Sequence, residues 1–256
     1  MSHEVQIDQV TLFLAGYLHW ASKAKVFGTF MPVVSYRGHA CESWELLPSL
    51  TREKGKLVPS PMLEQFEREL IAEYRKRFDL KDAWTEVEVL AFARHHGAPT
   101  RLLDWTANPL IGLWFAVEDE KHNASPGIVH QLFCGGTNLP AKVSTIPSGP
   151  AACKCGTPVH VFQSPPKISR TDRQSCVFSL AAFEGGYAVK PLDEICSAQN
   201  QPQIRSYRVQ PELKLGLRDL LSDVGLDAYS IYGDPDSYGK VASSKFRQLS
   251  QRLPPC

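Results

Sequence analysis

Residues 95–109 bring several reactive side-chain types together in one short segment. The segment reads His-His-Gly-Ala-Pro-Thr-Arg-Leu-Leu-Asp-Trp-Thr-Ala-Asn-Pro, and an almost uncharged apolar run follows it. It therefore places two imidazoles, a guanidinium, a carboxylate and an indole around a Gly-Pro turn. A loop without a chemical task is usually built from simpler turn residues. The composition predicts that this segment organises a polar site.

Position within the segment suggests roles for its side chains. His95 and His96 end a predicted helix, where an imidazole can cap the last carbonyl groups. Adjacent helical positions point apart, and no cysteine or carboxylate stands at a ligand spacing nearby, so we predict no metal site. Arg101 and Asp104 are three residues apart in a strand-like turn, and we expect them to pair with each other. That pair either is purely structural or holds the loop in shape beneath a ligand.

A second group of residues, Tyr36, Arg37 and Gly38, ends a predicted strand. An arginine can bind a phosphate or a carboxylate through two parallel hydrogen bonds. A glycine beside it removes side-chain bulk that would block the approach of a ligand. The alternative interpretation is an ordinary surface arginine at the end of a strand.

A third group, residues 170–178, places basic residues and Gln174 before a predicted strand. The alternative interpretation is that these residues are simply a solvent-exposed stretch at the start of the strand. Cys153 and Cys155 lack two further ligands at a suitable spacing, so we interpret them as loop thiols. We interpret residues 234–236, Asp-Pro-Asp, as a turn.

Composition limits the classes of protein to which the chain can belong. It has 256 residues and is 43% hydrophobic, which is typical of a globular protein. Its net charge of +1 is too small to attract nucleic acid or an anionic membrane to the molecule as a whole. Seven cysteines without framework spacing favour reduced thiols in a cytoplasm. We see no secretion signal and no apolar run of membrane-spanning length, so we expect a cytoplasmic protein without a membrane partner.

Hydrophobic periodicity predicts that helices cluster early in the chain and strands late. We expect helices over 5–25, from 60, over 83–95, over 109–117 and over 212–224, and strands over 30–36, 127–133, 176–183, 187–189, 205–209 and 229–232. Residues 135–166 are rich in Gly, Pro, Ser, Thr and Lys, which predicts a long loop or insertion. The order favours an α+β fold in one main domain that spans residues 1–256.

Taken in order, these motifs resemble the FRG domain, a prokaryotic family named for a Phe/Tyr-Arg-Gly motif. The matching stretches are Tyr36-Arg37-Gly38, Trp44, residues 46–50 and 93–109, Phe115-Ala116, then Arg170, Gln174 and Phe178, and weakly residues 230–239. The resemblance covers a core of about residues 25–245.

The order of elements is also similar to that of the ADP-ribosyltransferase fold, which implies a mixed or antiparallel sheet with N-terminal helices packed on it. In that fold an Arg or His at the end of the first strand contacts NAD, a Ser or Thr turn opens the next helix, and a late-strand glutamate orients the ribose. Arg37 and Thr106 match the first two positions. Gln174 stands where the glutamate is expected, and a glutamine can form hydrogen bonds but cannot act as a base. Cys176 stands where the family pattern has a small residue, two positions after the glutamine.

The resemblance implies that the chain binds NAD or a related nucleotide as a substrate, without a metal. It also implies transfer of ADP-ribose to a protein or nucleic-acid target, in bacterial defence against phage or in a toxin. The implied catalytic residues are Arg37, His96 and Gln174. The implied nucleotide contacts are Tyr36, Arg37, Gly38, His95, Arg101, Asp104, Trp105 and Thr106. Two alternatives stay open: a non-catalytic module for a nucleotide or a nucleic-acid end, and a structural interaction domain.

Overall fold

A computed structural model describes residues 8–23, 33–52, 58–80, 84–134, 159–163, 173–181, 190–199 and 203–251. The helices in these ranges are α1 (Gln9–Lys23), α2 (Ser60–Arg77), α3 (Glu86–His95), α4 (Pro109–Val117), α5 (Leu192–Gln199), α6 (Lys214–Asp223), α7 (Ala228–Tyr232) and α8 (Pro235–Gln251). The strands are β1 (Val33–His39), β2 (Leu102–Thr106), β3 (Gly127–Cys134), β4 (Val159–Gln163), β5 (Cys176–Ala181) and β6 (Gln203–Val209). Short 3-10 helices cover Ser49–Thr51, Glu120–His122 and Pro211–Leu213.

All six strands form one sheet in the order β4-β5-β2-β1-β3-β6, and every neighbouring pair is antiparallel. The predicted α+β class and the antiparallel sheet are therefore confirmed. β1 pairs with β3 along its whole length, and β2 does the same with β5. β1 and β2 pair only where Tyr36 lies opposite Thr106. The sheet thus has one weak seam, and both sequence motifs stand beside it.

Apolar clusters cover both faces of the sheet. On one face, α1, α4 and α6 pack on β1 and β3, and α2 and α3 pack on β2 and β5. The opposite face is covered by α5 and by the segment that contains Leu46. Side chains alternate between the faces along a strand. Leu102 accordingly packs beneath the α2–α3 helices, whereas Leu103 and Trp105 pack on the opposite face.

Capping residues explain where the two helices beside the seam begin. Thr85 and Glu88 form a reciprocal capping box at the start of α3. Asn108 accepts a hydrogen bond from the Leu110 backbone N–H, and Pro109 occupies the first turn of α4, as predicted. These caps set the entry points of the helices that carry Arg94 and Phe115.

Three predicted elements differ from the structure. Residues 228–232 form α7 rather than a strand, because Asp227 and Ser230 cap the start and Gly233 adopts φ +74° after its end. Residues 159–163 form the edge strand β4 inside the predicted loop. Asp234 caps α8 by accepting from the Ser237 N–H, so the predicted turn is a helix start. The predicted strand over 187–189 and the thiols at 153 and 155 lie outside the described residues.

Gly38 lets β1 pack directly on α4. A Cβ atom at Gly38 would lie 2.1 Å from the Gly112 carbonyl oxygen and 2.5 Å from the Ala116 nitrogen. Gly112 has the reciprocal constraint, since its Cβ would lie 2.8 Å from that of Tyr36. The missing side chain of Gly38 therefore faces the helix, and this geometry corrects the expectation that it clears space for a ligand.

We expect Gly38→Ala to lower the free energy of unfolding by about 3 kcal/mol, because backbone atoms of α4 must move to admit the methyl group. Gly239→Ala is the matched control, since nothing lies within 4 Å of its Cβ position in α8. Urea unfolding of both variants measures the effect. Equal stability of the two variants would contradict the close packing of β1 on α4.

Candidate functional site

The seam between β1 and β2 is bridged by the side chain of Arg37. Beyond the pair Tyr36–Thr106 the strands form no further ladder pairs, and the Arg37 Nη1 donates to the Asp104 backbone carbonyl at 2.6 Å. The same nitrogen lies 3.9 Å from the Asp104 carboxylate. A guanidinium thus replaces a backbone donor at the point where the sheet opens.

Asp104 is held from the other side by Arg94 of α3. The Arg94 Nη2 donates to Oδ2 of Asp104 at 2.7 Å and its Nε donates to the same oxygen at 3.1 Å, while Nη1 donates to the Ser49 hydroxyl at 2.9 Å. Such a clasp fixes a carboxylate in direction as well as in charge. Arg94 therefore joins α3, β2 and the 3-10 helix after Pro48 at one point.

Arg52 adds a third guanidinium to this cluster. Its Nε donates to the Leu47 carbonyl at 2.9 Å, and its charge acts on Arg37 and Arg94. Burial and the neighbouring arginines lower the pKa of Arg37 to about 10, which leaves it protonated at neutral pH. Arg37, Arg52 and Arg94 thus lie around the one carboxylate of Asp104, and these four residues carry a net positive charge.

Several N–H groups of this cluster have no hydrogen-bond acceptor among the described residues. Arg37 donates to His39 through Nε and to Asp104 through Nη1, and its Nη2 has no hydrogen-bond partner there. The same holds for both Nη atoms of Arg52. Guanidinium groups of this kind are suited to phosphate oxygens.

His39 holds Arg37 in a fixed orientation. Because the Arg37 Nε–H donates to Nε2 of His39 at 3.0 Å, that ring nitrogen carries no proton, and Nδ1–H donates to the Trp44 carbonyl at 3.1 Å. Burial, with the charge of Arg37, lowers the pKa of His39 to about 2, and the same causes lower the pKa of His130 to about 4. The two rings contact each other at a centroid distance of 5.1 Å.

These two histidines make the fold sensitive to acid. An unfolded histidine takes up a proton near pH 6.5, whereas the folded ones stay neutral to far lower pH. Stability is therefore fully present above pH 6.5 and falls as the pH drops, by about 1.4 kcal/mol per pH unit for each histidine. We expect His39→Gln to reduce this slope by one such contribution, measured by urea unfolding across pH 5 to 7.5. An unchanged slope, with the exposed His19→Gln as control, would contradict a neutral His39.

The cluster separates two cavities. The first has a volume of about 370 Å³ and is lined by Tyr36, Arg37, Gly38, Arg94, His95, Gly97, Asp104, Trp105, Thr106, Phe115, Gln174, Cys176 and Tyr232. The second has a volume of about 640 Å³ and is lined by Arg37, Gly38, His39, Ala40, Ser43, Trp44, Glu45, Leu47, Arg52, Phe115, Glu118 and Asp119. Arg94 lines only the first cavity, Arg52 only the second, and Arg37 both.

Most residues singled out from the sequence meet in the first cavity. Those that line it are Tyr36, Arg37, Gly38, His95, Asp104, Trp105, Thr106 and Gln174. Thr106 donates to the Gln174 carbonyl at 2.7 Å and accepts from the Asn108 N–H, so it joins the start of α4 to the turn before β5. Trp105 is 3% exposed, and its indole donates to Ser179 within the core. Its role is support of the cavity wall.

Two predicted site residues lie elsewhere. His96 caps α3, is exposed and packs against Phe92 at a centroid distance of 4.5 Å, so it lines neither cavity. Arg101 is 3% exposed and its Nε lies 2.7 Å from Oε2 of Glu67 on α2. The expected Arg101–Asp104 pair is wrong because residues three apart along extended backbone point to opposite sides.

Sequence reasoning missed three charged residues of the site. Arg94 was only one position of a matched motif, and Arg52 and Glu118 carried no signal. Glu118 accepts from the Tyr232 hydroxyl at 2.7 Å and from the Trp114 indole at 3.2 Å, and burial raises its pKa. The one sequence feature that could have indicated Arg94 is its position in the last turn of the predicted helix, next to His95.

Comparison with known families assigns part of the chain to one family. Residues 33–125 match the sequence model of the FRG domain. These residues are therefore assigned to the FRG domain family. Arg37, Arg52, Arg94 and Asp104 all lie inside the matched range, whereas Gln174 and Tyr232 lie outside it. Neither curated proteins nor solved structures yield a match to the chain.

Two further observations concern the described residues alone. Among them, no three His, Cys, Asp or Glu side chains are grouped so that they could hold a metal ion. None of the helices in the same ranges is long and apolar enough to cross a membrane.

Proposed function

We propose that the FRG domain binds the diphosphate of NAD or of a related nucleotide at the Arg37–Arg52–Arg94 cluster, and that it transfers ADP-ribose to a macromolecular target. The observation that carries the proposal is the grouping of three guanidinium groups beside the one carboxylate of Asp104 at the seam of the sheet. These four residues together carry a net positive charge, and a diphosphate would balance it.

The position of the cluster supports a ligand with two halves. Arg37 stands between the cavities, with Arg94 on one side and Arg52 on the other. A dinucleotide has its diphosphate in the middle and a nucleoside at each end. Bound with the diphosphate at Arg37, it would extend one half into each cavity.

The antiparallel sheet, with Arg37 near the end of β1 and Thr106 before α4, supports an ADP-ribosyltransferase-like arrangement. In this reaction the bond between nicotinamide and ribose breaks, and its electron pair leaves with the nicotinamide. The transition state resembles an oxocarbenium ion, so placed charges and hydrogen bonds provide the catalysis without a strong nucleophile. The acceptor, a protein or nucleic-acid group or water, then attacks the ribose carbon and loses a proton.

Release of nicotinamide from NAD tests the proposal. We expect slow release by the wild-type chain, because water can replace the acceptor, and its loss in Arg37→Ala. Arg68→Ala is the matched control, since Arg68 is exposed on α2 and lines neither cavity. No release by the wild type, or equal release by Arg37→Ala, would contradict the transferase.

One observation favours a second function, a non-catalytic nucleotide-binding module. The side-chain amide of Gln174 has partners at both ends, since its nitrogen donates to the Ile231 carbonyl at 3.4 Å and its oxygen lies 3.5 Å from the Cys176 sulfur. Both contacts hold the amide toward the protein, and a glutamine at this position cannot act as a base. Calorimetric binding of NAD without any release of nicotinamide would select this function. The cytoplasmic location and the defence or toxin setting stay predictions.

A further inference from the structure

The second cavity contains an aromatic side chain that the proposed diphosphate site does not use. Trp44 lines this cavity and is 43% exposed, which is high for a residue type that is well buried on average. Phe115 contributes a second ring to the same cavity. An exposed indole in a concave site is available for stacking with a flat ligand group.

Trp44 is held in one orientation by its neighbours. The His122 ring meets it edge-to-face at a centroid distance of 4.9 Å, and the His39 ring lies at 6.0 Å. The Trp44 carbonyl accepts from Nδ1–H of His39, which in turn accepts from Arg37. One hydrogen-bonded chain thus connects the Trp44 backbone, through His39, to the Arg37 guanidinium.

Opposite charges divide the second cavity. Arg37 and Arg52 line it, and so do Glu118 and Asp119 near the end of α4. The Glu118 carboxylate is oriented by donors from Tyr232 and Trp114. A carboxylate can accept about four hydrogen bonds, so Glu118 retains capacity for N–H or O–H groups of a ligand.

We propose that the second cavity is a nucleobase subsite, in which a flat nitrogen heterocycle stacks on Trp44 while its phosphate lies at Arg37 and Arg52 and its ring or ribose donors face Glu118. The inference rests on the proposed phosphate binding at the arginine cluster. It adds a requirement that the cluster alone does not make: the ligand must carry an aromatic ring.

Three probes separate the ring from the phosphate: pyrophosphate, AMP and nicotinamide mononucleotide. We expect Trp44→Ala to weaken binding of at least one mononucleotide about tenfold or more, the usual effect of losing one base–aromatic stack, and to leave pyrophosphate binding unchanged. The mononucleotide that loses affinity identifies the ring. Trp44→Phe retains a stacking surface and should restore most of the affinity. Tyr238→Ala, an exposed aromatic residue that lines neither cavity, is the control.

Isothermal calorimetry on the full chain gives three distinguishable results. Selective loss of mononucleotide affinity supports the subsite. Pyrophosphate and mononucleotide binding that both match the wild type in Trp44→Ala overturns the subsite and leaves the proposed function standing. A wild-type chain that binds none of the probes overturns both.

Discussion

Arg94→Ala is expected to lower the affinity of the chain for pyrophosphate and for ADP-ribose about 100-fold, because it removes one partner of a partly buried charged pair. Arg94 lines the first cavity, where the proposed phosphate would lie, and it holds the Asp104 carboxylate through two hydrogen bonds. Without it, the Asp104 carboxylate faces Arg37 alone at 3.9 Å and repels an incoming anion.

Asp104→Asn is the informative companion to Arg94→Ala. Asparagine retains an oxygen for Arg94, and the Asp104 backbone carbonyl that Arg37 contacts is unaffected. The net charge of the cluster increases by one, so we expect pyrophosphate to bind more tightly. If the polar cluster were purely structural, Arg94→Ala and Asp104→Asn would both lose stability. Anion affinity would then not decrease in Arg94→Ala and increase in Asp104→Asn. Thermal unfolding of each variant verifies that the molecules titrated are folded.

Arg101→Ala is expected to destabilise the fold by about 4 kcal/mol, because it leaves a buried carboxylate without its cation. Glu67 is fully buried and accepts from both the Arg101 backbone N–H at 3.0 Å and its side chain. Burial raises the pKa of Glu67, and Arg101 opposes that change. Urea unfolding measures the loss, and the folded variant should bind ADP-ribose as the wild type does.

The double variant Glu67→Leu with Arg101→Met controls for the lost charge. It removes both ions and replaces them with apolar groups of similar length, so we expect it to be far more stable than Arg101→Ala. If Arg101→Ala is as stable as the wild type, the buried pair is not a structural element. If it folds normally but loses ADP-ribose, Arg101 belongs to the ligand site after all.

The sequence motifs could be recognised because each is local. Arg37 lies near the end of β1 and Thr106 precedes a helix cap, and both features follow from nearby residues. Their proximity required the resemblance to a known family, since β1 and β2 are far apart in sequence and meet at a single pair. The structure brings Asp104 beside Arg37 and pairs Thr106 with Tyr36.

Sequence spacing did not predict the ion-pair partners, because these depend on the side of the sheet to which each side chain points. Spacing suggested that Asp104 pairs with Arg101, but along extended backbone the two side chains point to opposite sides. Asp104 instead forms an ion pair with Arg94, and Arg101 forms one with Glu67. A similar limit explains α7, where Tyr229 and Ile231 favour a strand by type. Capping by Asp227 and Gly233 outweighs that preference locally.

Calorimetric titration of the wild-type chain with pyrophosphate tests most directly whether the three arginines form a phosphate site. We predict saturable one-to-one binding that weakens as salt screens the guanidinium charges, that nearly disappears in Arg94→Ala and that persists in Arg68→Ala. Absence of saturable binding at low salt, or equal binding by Arg94→Ala and the wild type, would contradict a phosphate site at the seam of the sheet.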